Sequence, residues 1–199
     1  MKRKATDFHD NSQNSKHLLW VDIETTGDDP EKDRILEIGC ILTDKDLTHI
    51  SPCFQAYVQS PMKEILKLNP KLKNLATECS QSPYTLDNIE NALIRFIKDR
   101  HSSEVLWTLA GANLSINMMF LNKYLPKFTF HLFSRVVNID TLRELCWRWK
   151  PNTYARAPMR KKDSRLIERL PKAIDELRWY RENLFTRRLT LTGPRKLSI

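Results

Sequence analysis

Apolar residues in this chain fall into short runs and helical stripes. Residues 18–23 (LLWVDI) and 35–43 (ILEIGCILT) are continuous β-favouring runs separated by a polar turn, the pattern of strands buried on both faces. A third run, 53–58, predicts the next strand. Pro61 can open a helix reaching about Leu68, and Pro70 ends it. SQSPY at 80–84 breaks the chain before a helix over 85–100, where Leu86, Ile89, Leu93 and Ile97 share one face. Residues 104–110 (EVLWTLA) predict a buried strand broken by Gly111, and Leu114 to Tyr124 a helix apolar on two sides that Pro126 closes. Residues 135–139 predict a last strand, Asp140 a cap for a helix over 141–149, and 150–163 a basic loop. A final helix runs through Phe185, interrupted or started by Pro171. Strands first, then helices alternating with strands, predict an α/β domain with a mixed sheet.

The 199 residues suit one domain: residues 1–16 as a disordered basic leader, 17–185 as the folded part and 186–199 as a basic tail. With 41% hydrophobic and 29% charged residues, 4 Gly and 10 Pro, the composition excludes collagen-like, linker-like and wholly disordered chains. No apolar run approaches the roughly 18 residues that span a bilayer, and the polar start lacks the apolar middle of a secretory signal. A soluble, intracellular protein with no membrane partner is the expectation, in nucleus, cytoplasm or mitochondrion; Lys2, Arg3 and Lys4 form a weak nuclear signal. Cys40, Cys53, Cys79 and Cys146 stand too far apart for a zinc site and read as reduced core thiols.

The net charge of +9 is unevenly placed. From Arg143 onward 16 basic residues face 6 acidic ones, while the preceding part is close to neutral. Such a basic third attracts polyanions through counterion release, so it reads either as a nucleic-acid footprint or as a solvated helix face with a solubilising tail.

Candidate chemistry sits at the end of the first strand. Residues two apart on a strand face one side, so Asp22 and Glu24 aim two carboxylates at one point. They are either a solvated edge or ligands of Mg²⁺ or Mn²⁺, hard cations that take oxygen ligands and, in pairs about 3.5 to 4 Å apart, drive phosphodiester hydrolysis.

The stretch from Asp22 through Glu24, Thr25, Thr26 and Gly27, followed by Asp33-Arg34-Ile35-Leu36-Glu37-Ile38, resembles the first motif of the DEDD superfamily of 3′-to-5′ exonucleases, and more narrowly oligoribonuclease. The likeness continues through Leu42 to Leu47, Ala110 to Asn113, Phe120 to Pro126, Thr141 to Leu145 with Arg148 to Pro151, and Glu176-Leu177 with Tyr180-Arg181-Glu182, spanning residues 18 to about 185. It implies a ribonuclease H-like five-stranded mixed sheet flanked by helices, a homodimer, and trimming of very short RNAs from the 3′ end.

The resemblance also implies four acidic ligands and a histidine, and only Asp22 and Glu24 match. The second-motif aspartate falls on Asn117. Counting back from Glu176-Leu177 and Tyr180-Arg181-Glu182, the histidine falls on Ser164 and the last aspartate on Arg169. An amide carries no charge, a serine hydroxyl is no general base near neutral pH, and a guanidinium about 4 Å from a dication repels it by several kcal/mol at an effective dielectric of 20. Asp163 and Glu168 repeat the required spacing one residue out of register, a possible rescue if Pro171 alters the helix. The family's wedge leucine falls on Asp28, and Met62 to Lys67 offers no stacking tryptophan. Arg135 and Thr141 match positions that can meet the RNA phosphate.

The expectation is therefore an oligoribonuclease-like pseudonuclease with metal weakly bound or absent, working through RNA or through a protein partner or second copy. The alternative is a metal-dependent exoribonuclease using Asp22, Glu24, Asn117 and Glu168. Trp20 and Trp107 read as core; Trp147, Trp149 and Trp179, on basic helices, as surface for a partner.

Overall fold

The computed structural model describes residues 14–49, 51–100, 106–158 and 164–185. Its frame is a five-stranded sheet in the order β3-β2-β1-β4-β5, built from β1 (Asn14–Thr25), β2 (Ile35–Thr43), β3 (Phe54–Tyr57), β4 (Leu106–Gly111) and β5 (Leu132–Asn138). β1 pairs antiparallel with β2 and parallel with β4, β2–β3 is antiparallel and β4–β5 parallel, so the sheet is mixed. Between the strands lie α1 (Met62–Leu68), α2 (Lys73–Gln81), α3 (Leu86–Lys98), α4 (Leu114–Tyr124) and α5 (Pro126–Thr129); after β5 come α6 (Ile139–Trp149), α7 (Pro151–Tyr154) and α8 (Leu166–Tyr180), which passes into a π-helical turn, Arg181–Phe185.

Alternation along β1 divides the core. Leu19, Val21 and Ile23 pack with Ile89, Leu93 and Ile97 of α3 and Phe120 of α4; Trp20, on the opposite face, packs with Ile139 of α6 and Leu166, Leu170 and Ile174 of α8. By the same period Asp22 and Glu24 share the face of Trp20 and lie under α8. What seats that helix is a bond between layers: Arg143 of α6 donates from Nε and Nη2 to the fully buried Glu176 of α8 at 3.0 and 2.7 Å. Its Nη1 donates to Asp140 at 2.6 Å, and the other Asp140 oxygen accepts the Asn113 backbone N–H at 2.6 Å. Bidentate guanidinium pairing holds a helix more rigidly than apolar contact alone.

Several boundaries differ from the sequence expectation. β1 starts at Asn14, inside the expected leader, whose residues 1–13 lie outside the described residues, as do 186–199. As expected, α1 ends at Leu68 just before Pro70; what the sequence did not show is that Asn69 then accepts the Lys71 N–H and opens a 3-10 turn that leads into α2, whose Ala76 and Cys79 are buried. Strand β5 begins at Leu132, and α6 is capped by Asn138, because Asp140 is occupied by Arg143 and Asn113. The basic loop holds the short α7. Pro171 neither starts nor breaks α8; it removes one N–H near the helix start, and the carbonyl so freed belongs to Ile167, a partly exposed residue that water can reach. All four cysteines are free thiols, three of them buried.

Close approach of α8 to β2 depends on Gly39. A Cβ there would lie 2.0 Å from Leu166 Cδ2 and 2.8 Å from Leu170 Cδ1, and both leucines are buried with no room to retreat. Gly39→Ala should destabilise the protein by about 1–3 kcal/mol in urea denaturation; unchanged stability would mean that α8 is not seated on β2 as described.

Candidate functional site

The first strand delivers its two acids where the antiparallel pairing with β2 becomes irregular, between Glu24 and Thr25. The loop beyond is fixed by Asp33, whose carboxylate accepts the Thr26 hydroxyl at 2.8 Å and the Asp29 N–H at 3.0 Å. Gly27 leaves the space this carboxylate fills, since a Cβ there would stand 2.6 Å from Asp33 Oδ2. The Thr-Thr-Gly and Asp33 elements are thus the brace that holds the end of β1.

Asp22 lies opposite Gly39 and Glu24 opposite Glu37. Asp22 Oδ1 accepts the Ile23 N–H at 3.1 Å and the Asn117 amide at 3.3 Å; Asp22 Oδ2 accepts Arg169 Nε at 2.8 Å. Arg169 Nη1 donates to Glu24 Oε1 and to the Ser164 carbonyl, the latter at 3.1 Å. One guanidinium therefore bridges both carboxylates and ties them to the start of α8. The Arg169 side chain is only 12% exposed and that of Asp22 only 9%. Burial works against the Arg169 charge, but Asp22 and Glu24 outweigh it and hold the pKa above the ordinary arginine value.

A third carboxyl group stands beside them. Glu37, 5% exposed, has its pKa raised by burial and by Glu24, against the lowering effect of a hydrogen bond from Gln55. Gln55 Nε2 donates to Glu37 Oε1 at 2.6 Å and to the Tyr57 hydroxyl at 2.9 Å, and Arg165 Nη2 donates to the same hydroxyl at 2.9 Å. Glu24, Glu37 and Tyr57 line a cleft of about 430 Å³ whose other walls are Lys71, Leu72, Asn74, Leu75 and Glu78 of the α2 region and Ser164, Arg165 and Leu166 where the chain enters α8.

Asp22, Glu24, Asn117, Ser164 and Arg169 are thus brought together. Glu168 is not: its side chain is 53% exposed and reaches Lys172 at 3.7 Å, because one residue of helix turns it about 100° from Arg169. With α8 unbroken, nothing returns Glu168 to the pair. Asp163 lies outside the described residues. Arg135 on β5 and Thr141 on α6 are exposed, as is Asp28. Trp20 and Trp107 are buried, Trp147 and Trp149 exposed, and Trp179 is half-buried against the core. Sequence reasoning missed Glu37, Gln55, Tyr57 and Arg165; the available signal was an acid within the otherwise apolar ILEIGCILT run, which must have a polar reason to be buried.

An exonuclease family model, RNase T, matches residues 19–76. The chain is 32% identical over 181 residues to the mitochondrial oligoribonuclease of Homo sapiens, covering 88% of this chain and 76% of that protein. It is 29% identical over 178 residues to the oligoribonuclease of Tropheryma whipplei, covering 85% and 94%. Among solved structures, exonuclease I of Methylocaldum szegediense aligns at a TM-score of 0.60 with 16% identity, over 85% of this chain and 41% of that one; a zinc-bound E. coli exonuclease I–ssDNA complex aligns at 0.60 with 13% identity, over 86% and 41%. This chain spans less than half of those exonucleases, and the likeness to them is one of fold.

Removing the guanidinium leaves two carboxylates, one well buried, facing each other without a cation. Arg169→Met should cost about 3 kcal/mol in urea denaturation at pH 7 and low salt, while adding Asp22→Asn and Glu24→Gln to it should recover most of that loss. A single variant as stable as the parent would contradict the bridging role.

Proposed function

The chain belongs to the oligoribonuclease family, and from that premise we propose that it is a non-hydrolysing member, an oligoribonuclease-like pseudonuclease that acts by binding. The observation that carries this reading is the Arg169 guanidinium on Asp22 and Glu24. The residues present do not fit the divalent ions that the family's chemistry implies. The two oxygens a dication would take already accept from Arg169, and the Asn117 amide turns a donor, not an acceptor, toward Asp22. Expelling the guanidinium would place a fixed positive charge beside the incoming ion. Ser164 offers no base near neutral pH, and absence of a general base alone costs about 10² to 10⁴ in rate. Solvent-facing Glu168 argues against the alternative of an active enzyme using Asp22, Glu24, Asn117 and Glu168.

Short RNA is the ligand favoured by family membership and by the basic last third of the chain. Arg135 and Thr141 are exposed, and Trp149 on α6 offers an exposed aromatic face for stacking. Exposed Trp147 and Trp149 equally suit a second copy or a protein partner. Mitochondrial relatives are consistent with an intracellular site of action, and no described helix is long and apolar enough to cross a membrane.

Incubated with a labelled di- to pentaribonucleotide and Mn²⁺, the protein should release no nucleotide, like its Asp22→Ala variant. Product from the parent but not from that variant would overturn the reading. Mn²⁺ should leave the parent's melting temperature unchanged, whereas Asn117→Asp with Ser164→His and Arg169→Asp should gain both Mn²⁺-dependent stabilisation and measurable cleavage. RNA affinity measured by anisotropy should fall at least tenfold between about 50 and 200 mM salt, since several phosphate contacts release counterions together; salt-independent binding would exclude the basic surface as the RNA site.

A further inference from the structure

Helix α6 carries a second recess that shares no residue with the acid pair or its cleft. Asp140, Arg143, Glu144 and Trp147 follow one another at three- and four-residue spacing, so they form one stripe of the helix, and with Tyr154 of α7 they line a cavity of about 400 Å³. That is room for a nucleoside-sized molecule. Part of the lining is aromatic. Trp147 is 53% exposed, a large apolar ring left in water, while Tyr154 is half-buried against the core and fixed by it. Arg148 braces the indole without lining the cavity: its Cζ lies 5.5 Å from the ring centroid, and its Nε donates to Glu144 Oε1 at 2.8 Å.

The polar groups of the recess are held in place and only partly used. Arg143 has five N–H donors; Nε and one donor of Nη2 go to Glu176, and one donor of Nη1 goes to Asp140. One N–H on each terminal nitrogen has no acceptor among the described residues, and two carboxylates fix the plane in which those donors lie. Glu144 Oε2 accepts from no described residue. Charge sorts the possible ligands. Asp140, Glu144 and Glu176 against Arg143 and Arg148 leave one unit of negative charge, which disfavours a phosphate, while both carboxylates of the lining already accept from an arginine of this chain, which leaves little for a cation. A flat, uncharged group that accepts at one point and donates at another uses what remains.

We propose that the recess binds a guanine base, stacked on Trp147, with O6 accepting from Arg143 and the N1–H and 2-amino groups donating to Glu144. Guanine alone among the common bases places one acceptor beside two donors along its pairing edge, and a carboxylate next to a guanidinium answers that order. Adenine reverses it, turning an amino group toward Arg143. Stacking on an exposed tryptophan supplies affinity; the two charged side chains supply the choice of base. The shared chemistry belongs to a guanosine within a short RNA or to a free guanine nucleoside. This inference goes beyond the non-hydrolysing reading and does not depend on it, since nothing in the recess touches Asp22, Glu24 or Arg169.

Calorimetric titration of the full chain tests it with guanosine, inosine, adenosine, Nα-acetyl-arginine methylamide and the pentaribonucleotides AAGAA and AAAAA. Saturable guanosine binding is the expected result, with inosine, which lacks the 2-amino group, weaker and adenosine weaker by at least about tenfold. Trp147→Ala should weaken guanosine binding by about tenfold or more. Glu144→Gln should narrow the gap between guanosine and adenosine. Both positions are exposed, so both variants should melt close to the parent, which shows that a lost signal is not a lost fold. AAGAA binding tighter than guanosine and tighter than AAAAA identifies RNA as the source of the base; guanosine binding at least as tight as AAGAA identifies the free nucleoside. Absence of guanosine binding, equal binding of guanosine and adenosine, or guanosine binding indifferent to Trp147→Ala overturns the inference. Binding of the arginine derivative that excludes guanosine overturns it in favour of a basic peptide. The cleavage and Mn²⁺ measurements on the acid pair are unaffected by any of these outcomes, so the two readings fail separately.

Discussion

A strand that presents two carboxylates under a buried helix demands a cation, and in this protein the cation is covalently attached. Arg169 reaches Asp22 and Glu24 from the inward stripe of α8, three residues after Leu166 and one before Leu170. A tethered guanidinium differs from a bound metal in three ways: it is never lost by dilution, it remains charged at any ordinary pH, and its planar fork can serve two carboxylates at once. It also brings only one unit of charge. The position of α8 is therefore coupled to the acid pair, and the contacts that seat the helix, Gly39 against Leu166 and Arg143 against Glu176, serve the site as much as the core.

Much of this was legible in the sequence for identifiable reasons. Strand periodicity alone places Asp22 and Glu24 on one face, and the Thr-Thr-Gly and Asp33 elements mark the loop that braces them. The location of residue 169 could be counted from Glu176 because a single continuous helix joins them, so the number of intervening residues fixes the angle. Proline was read correctly once and misleadingly once. Pro70 follows the end of α1, as a terminator should, whereas Pro171 looks like a break and α8 runs through it from Leu166 to Tyr180. A proline reports a missing N–H; whether the helix yields depends on who needed it.

Glu37 was the least legible of the important residues. In the run ILEIGCILT it is a single acid among apolar neighbours, and nothing in the spacing says that it stands opposite Glu24, because that register is set by the β1–β2 pairing across a polar turn. Its hydrogen-bonding partner, Gln55, comes from β3, a strand of four residues whose pairing register no local pattern specifies. Local pattern can put a charge at a place; only tertiary pairing determines which charges become neighbours.

These neighbours decide the sign of the site. With divalent ions bound, an acid cluster in this fold presents positive charge and draws phosphate oxygens toward the end of β1. With the Arg169 guanidinium on Asp22 and Glu24, the oxygens that such ions would take already accept from it, and Glu37 and Glu78 share the cleft with Arg165 and Lys71. Shape is largely indifferent to this change, since the sheet, the brace at Asp33 and the α8 seat all persist. A substitution that retains a scaffold can thus change what the scaffold is able to hold.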